Sequence, residues 1–224
     1  MKYINLIIQS PVFRGIDPEV LEAQFLFVRW QIKSYSKGST LAFRGDDVTS
    51  LYVLLEGSIN GVMTDPEGNA VKIEDIFAPM PIATGFLYGQ KHFFPVDVIA
   101  NTAVKVLIVP KEDFSRMMQK NAPIQENFLN LISNRAQFLT TKIRLLSRKT
   151  LKAKLAQIII EQDPNKTGRV MMNMSQQSAA DLIGVARPSL ARTFAELLEQ
   201  KLIEGTWKTF KIIKYNKLLK LLFD

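Results

Sequence analysis

Arg187 and Arg192 flank Pro188 and Ser189 in the run SQQSAADLIGVARPSLARTFAELLEQ, residues 175–200. Each guanidinium offers several donors in a fixed fork, which matches the acceptor edge of a guanine or a pair of phosphate oxygens. What such arginines do depends on the elements that hold them. Ser175 predicts an N-cap, since its hydroxyl can accept from the free N–H groups of a first helical turn. Ala179, Ala180, Leu182 and Ile183 then supply a small apolar face, and Gly184 falls where a helix must end and reverse. Arg187 precedes a proline and is therefore expected as the cap of a second helix, with Pro188 its first residue. Leu190, Phe194, Leu197 and Leu198 recur at helical spacing and face inward, which leaves Ser189, Arg192 and Glu196 on the opposite side. A helix with Arg187 at an exposed start and Arg192 one turn on is built to enter the major groove of duplex DNA. Helix–glycine–helix pairs without any ligand share the pattern, so the rest of the chain must carry part of the argument.

Other chemistry finds little to work with. The 224 residues include no cysteine and a single histidine, His92, which excludes disulfides and thiolate metal sites. No glycine-rich phosphate loop is present, and the carboxylates are scattered, so no nucleophile–base pair or metal constellation can be named. The expectation is a chain that is not an enzyme and holds no metal or other cofactor. Charge is unevenly placed: residues 1–110 carry 9 Lys and Arg against 11 Asp and Glu, whereas residues 111–224 carry 20 against 10. The net charge of +8 therefore belongs to the second half, and so does any polyanionic partner. No run is long and apolar enough to span a bilayer, and MKYINLIIQS lacks the features of a signal peptide. A cytoplasmic location without membrane contact is expected.

The elements fall into three parts. In the first, residues 1–122, Asp17, Pro18 and Glu19 signal a helix start, and from Val28 to Pro110 short β-rich runs alternate with turn clusters such as SKGS, RGDD and DPEGN. Many short strands with turns between them predict a β-sandwich or jelly roll. In the second part, residues 123–147, Ile124, Phe128, Leu131, Ile132, Leu139, Ile143 and Leu146 form an apolar stripe along one long helix. Such a stripe buries either on its own roll or on a second copy; its length favours the second copy, with Phe128, Leu131, Ile132, Leu139 and Ile143 at the interface. The third part, residues 148–224, opens with the basic run Arg148, Lys149, Lys152, Lys154 after a hinge near Leu146–Thr150. It ends in LIEG–TWKT–FKIIKY, which alternates like a hairpin with Lys208, Lys211 and Lys214 on or beside it, and a short amphipathic helix. The fold class is α+β.

The run GVARPSLAR, followed by LLEQKLIE and the Lys-rich hairpin, resembles the winged helix-turn-helix of the CRP/FNR family of bacterial transcription regulators. Upstream, YSKGSTLAFRGDDVTSLYVLLEGSING resembles the start of that family's cyclic-nucleotide-binding-like roll, with Gly38, Gly45 and Gly57 at its corners. The resemblance implies a homodimer on a pseudo-palindromic site of double-stranded DNA, with RNA polymerase as a further partner. It implies base-reading roles for Arg187 and Arg192, and a backbone contact for Gln177. The intervening base-reading position, usually Glu or Ser in the family, is Pro188 here, so that contact is lost or passes to Ser189. Lys208 on the wing and the run from Arg148 would hold phosphates.

The same resemblance tests the sensor. Cyclic-nucleotide-binding members use a Gly-Glu segment for the ribose and an Arg-Ser or Arg-Thr pair for the phosphate. Aligned from its end, FAPMPIATGFLYGQKHFFPVDVIA puts Pro81-Ile82 in the first place and Phe94-Pro95 in the second. A phosphate buried there without a cation would cost several kcal/mol, about the desolvation of an unpaired charge, so cyclic AMP or GMP is not expected in the usual manner. Lys91 and His92 are the nearest substitute charges. Two readings stay open: a cavity lined by Ile82, Phe86, Leu87, Phe93 and Phe94 for an unidentified small-molecule effector, or a roll that has lost its ligand. His92, beside an aromatic pair, reads as a loop residue rather than a haem ligand. The competing reading of the whole chain is an effector-binding module whose C-terminal domain serves protein contacts.

Overall fold

The computed structural model describes residues 2–64 and 70–223; the DPEGN turn lies outside the described residues. Two compact units result, Met1–Asn134 and Arg135–Asp224, and the division falls within one helix.

In the first unit the N-terminal segment forms α1 (Ile4–Ile7) and α2 (Pro18–Phe25). Asp17 caps α2 as its sequence signals, accepting from Glu19 N at 2.8 Å and from Val20 N. Eight strands follow: β1 (Gln31–Tyr35), β2 (Thr40–Ala42), β3 (Ser50–Glu56), β4 (Ser58–Thr64), β5 (Ala70–Phe77), β6 (Met80–Ile82), β7 (Asp97–Ala100) and β8 (Val104–Pro110). They pair antiparallel into two four-stranded sheets, β1-β8-β3-β6 and β2-β7-β4-β5, a jelly roll. Leu51, Val53, Ile59, Val98 and Leu107 fill its core. The chain crosses from one sheet to the other at Gly57, which sits at φ +85°, and a Cβ there would collide with the Ala103 carbonyl and the Thr102 hydroxyl. Only glycine fits that corner.

Helix α3 (Lys111–Lys120) closes the roll and buries Asp113 between Arg29 and Arg116. Burial pushes this carboxyl up, but the hydrogen bonds and charges of Arg29 and Arg116 outweigh it and hold Asp113 below the usual carboxylate range. Helix α4 (Ala122–Leu146) then runs across the boundary between the units.

In the second unit, α5 (Leu151–Glu161) is capped by Thr150, and β9 (Arg169–Met171) leads to α6 (Gln176–Ile183) and α7 (Arg187–Glu199). A hairpin of β10 (Ile203–Gly205) and β11 (Thr209–Ile212) pairs with β9 in the order β10-β11-β9, and α8 (Tyr215–Lys220) follows. The turn before β9 is tied by Asp163, whose carboxylate accepts from Thr167 N, Thr167 Oγ1 and Gly168 N at 2.7–2.9 Å. Leu155, Ile159, Ala180, Leu190, Leu197 and Phe210 form a separate core, with Phe194 set edge-on to Trp207 and Phe210.

The long apolar stripe resolves into two faces. Ile124 and Phe128 are buried within the first unit, Phe128 edge-on to Phe114 and Tyr88, and Leu131 packs against the same core. Phe128 therefore leaves the expected interface set: its ring is spent on its own roll. Half-buried Ile132 touches that core as well, and together with the exposed Leu129, Ala136, Leu139, Ile143 and Leu146 it makes a second line at spacings of three and four. Ile143 is 69% exposed and Leu139 45%.

Candidate nucleic-acid interface

Helices α6 and α7 hold the candidate reading surface. Ser175 Oγ accepts from Ser178 N at 3.0 Å, as its N-cap role requires, and Gly184 ends α6 at φ +80° with its N–H on the Ala180 carbonyl. The second helix begins one residue earlier than expected. Ala186 is the N-cap, and Ser189 N and Leu190 N both reach its carbonyl, so Arg187 and Pro188 are the first two helical residues. The reason is that neither of the first two positions has an intrahelical acceptor for its N–H, so proline fits the second as well as the first.

This helix sorts its side chains by face. Leu190, Thr193, Phe194 and Leu197 are buried, and Thr193 Oγ1 donates to the Ser189 carbonyl at 3.0 Å. Arg187, Pro188, Ser189 and Arg192 are exposed together over its first turns. Neither arginine has an ion-pair partner among the described residues. Gln177 is exposed on α6 with its amide on Asp181 Oδ1 at 2.8 Å. Lys208 stands exposed in the turn between β10 and β11, while the neighbouring Trp207 anchors that turn through Nε1 to the Met174 carbonyl at 2.9 Å.

Several cations expected on this surface are engaged elsewhere. Glu196 pairs with Lys152 at 2.8 Å, which ties α7 to α5 and removes both from the reading face. Arg148 is half-buried, with Nε on Gln157 Oε1 and Nη1 on the Leu222 carbonyl, both at 2.8 Å. Of the basic run only Lys149 is fully exposed. Sequence pattern could not find these losses, because the acceptors lie up to 74 residues away.

The residues named for an effector cavity are differently placed. Ile82, Leu87 and Phe94 are buried core, Phe86 is half-buried, and Phe93 is exposed. Pro81 and Ile82 belong to β6, and the short helical turn that follows, Thr84–Phe86, starts after Ala83. Ala83 and Thr84 stand at that helix start, two residues after Pro81-Ile82, and they too carry no charge. His92 is exposed, and its carbonyl accepts from Val48 N. A hollow of about 510 Å³ does lie nearby, lined by Thr84, Tyr88, Ser115, Met118, Phe128 and Ile132 among others, and it contains none of the five. No group of side chains suited to hold a metal ion occurs among the described residues, and no helix there is long and apolar enough to cross a membrane.

Comparison with known proteins finds one family model within each unit. Residues 32–121 match the cyclic nucleotide-binding domain, and residues 153–221 match the Crp-like helix-turn-helix domain. Among curated relatives, the chain is 22% identical to the cAMP-activated global transcriptional regulator CRP of Salmonella typhimurium, over 81% of this chain and 89% of that one. It is 23% identical to the global nitrogen regulator of Synechococcus elongatus, over 77% and 81%. Among solved structures, the catabolite activator protein of Thermus thermophilus shares the fold, with a TM-score of 0.55 at 18% identity over 96% of this chain and 99% of that one. A transcriptional regulator from Thermotoga maritima matches with a TM-score of 0.53 at 25% identity, over 57% and 97%.

Proposed function

The chain belongs to the CRP/FNR family of transcription regulators, and on that premise we propose that it acts as a homodimer on a pseudo-palindromic duplex site, without cyclic AMP or GMP held in the family's usual manner. The observation that carries this reading is the first half of α7. There Arg187, Ser189 and Arg192 stand exposed, and the opposite face of the helix is locked into a core. Side chains held this way reach base edges at no cost in broken ion pairs. Pro188 carries no donor, so the polar contact between the two arginines passes to Ser189. Gln177 on α6, Lys208 in the wing turn and Lys149 before α5 are exposed and serve the phosphates, with a corresponding salt dependence.

The dimer is supported by the seam of α4, exposed except at half-buried Ile132. Spacings of three and four through Leu129, Ile132, Ala136, Leu139, Ile143 and Leu146 make the pattern of a two-helix coiled coil, in which each side chain fits between four of its partner's. Two copies joined there would set two α7 helices about one turn of duplex apart, roughly 34–36 Å.

The absence of usual nucleotide chemistry is supported by composition at the turn after β6. Ala83 and Thr84 at the helix start, and Phe94 and Pro95 opposite in the sequence pattern, offer no acceptor for a ribose hydroxyl as strong as a carboxylate and no cation for a phosphate. The deciding experiment selects bound duplexes from a random pool, with and without cell extract. An inverted repeat is the expected product in both arms; retention of no duplex at low salt would overturn the proposal.

A further inference from the structure

The joint between α4 and α5 is expected from sequence to be a hinge, yet the structure closes it. Leu145 is fully buried in the core of the second unit, and Arg148 N donates to its carbonyl at 3.2 Å. The Arg148 side chain then spans two acceptors, Gln157 Oε1 on α5 and the Leu222 carbonyl beyond α8. Gln157 is only 4% exposed, and its Nε2 donates to Glu161 Oε1 at 2.9 Å. Glu161 also accepts from Arg144 of α4 at 3.1 Å. Helix end, joint, α5 and chain terminus are thus connected through one satisfied polar network. Its buried member is Gln157, so loss of the Arg148 side chain would leave a buried amide oxygen unpaired. The same α5 is tied to α7 by Lys152 and Glu196. Hence the end of the exposed seam and the reading helix are both fixed to one element.

That matters for a dimer on DNA. One base pair more between half-sites displaces the second by about 3.4 Å and turns it by about 35° around the duplex axis. A free joint would follow such changes; a closed one would not. We propose that Arg148 is a positioning residue that, through Gln157 and the Leu222 carbonyl, fixes the half-site spacing the dimer accepts. This rests on the dimeric reading above.

The test uses the full-length chain and the inverted repeat selected by the wild type, remade as duplexes whose central spacer is shortened or lengthened by one and two base pairs. Wild type should discriminate against a one-base-pair change by about tenfold or more, a cost like that of a mismatched pair. Arg148→Ala, Arg148→Lys and Gln157→Met should each compress that ratio to within about threefold, while keeping the wild-type preference for half-site bases. Arg148→Lys retains the charge but cannot span both acceptors, and Gln157 is too buried to touch DNA, so neither can act through a lost phosphate contact. Unchanged spacing profiles in Arg148→Lys and Gln157→Met, with a uniform loss in Arg148→Ala alone, would make Arg148 a phosphate ligand and overturn the proposal. If the wild type selects no inverted repeat, the dimeric reading fails in that arm, before any variant is examined, and the proposal falls with it.

Discussion

Helix α7 begins at Arg187 with three polar side chains in solvent, whereas the helical turn after β6 begins at Ala83 with Ile82, Leu87 and Phe94 packed into the roll around it. Both are helix starts in which backbone N–H groups lack intrahelical acceptors, one within the stretch matching the Crp-like helix-turn-helix and the other within the stretch matching the cyclic nucleotide-binding domain. In the first, neighbours do the packing and the arginines are left free. In the second, Ala83 and Thr84 at the start are uncharged and half-buried, and Ile82, Leu87 and Phe94 beside them contribute to the core. On the proposed reading, a surface suited to a polyanion is kept in one unit, while the turn after β6 in the other carries no charged side chain at its start.

The largest break in this comparison comes from removing the pairing that doubles the α7 surface. Ile143→Glu should leave the fold intact, since the side chain is mostly exposed. It should nevertheless convert the dimer to monomer in sedimentation and lower affinity for the selected repeat by about a hundredfold or more, as two linked half-sites become one. Arg192→Ala should cost about 10–100-fold on the selected repeat and little on random duplex, read by competition binding. Equal losses on both would remove its base-reading role. Lys208→Ala should weaken all sequences alike by a few-fold and reduce the slope of log affinity against log salt by about one.

Asp113 gives a smaller effect confined to the roll. Its carboxyl is held below the usual range, so its contribution to stability is complete above the ordinary carboxylate pKa of about 4 and fades as pH falls toward the lowered value. Asp113→Asn should lower the melting temperature at neutral pH and flatten its decline below about pH 4. The smallest effect tests the other helix start. Millimolar cyclic AMP should leave the melting temperature and DNA affinity unchanged, whereas a bound ligand would raise the first by mass action.

Much of this was legible in the residues. Caps at Asp17 and Ser175, the reversal at Gly184, and the apolar spacing through Leu190, Phe194 and Leu197 are local signals, and the elements follow them within a residue or two. The start of α7 moved by one position because adjacent first-turn sites suit proline equally well. The stripe on α4 was legible as a stripe but not as two faces. Phe128 and Leu129 are both large and apolar, and nothing local says that one meets Phe114 and the other solvent. The residues named for an effector cavity show the same ambiguity: apolar residues that read as a lining serve equally well as a filling, and Ile82, Leu87 and Phe94 are buried in the core.

By itself the sequence determined the order of elements, the jelly roll, the winged module and the arginines on the outer side of its second helix. Those properties depend on periodicity, capping and turn chemistry, which act over a few neighbouring residues. Only the tertiary structure decided which charges remain available. Arg148 and Arg192 are alike in one dimension, yet the first is held by Gln157 and a carbonyl 74 residues away while the second is left in water. Hydrogen bonds between distant segments exist only once the chain has closed on itself, so no local pattern can announce them.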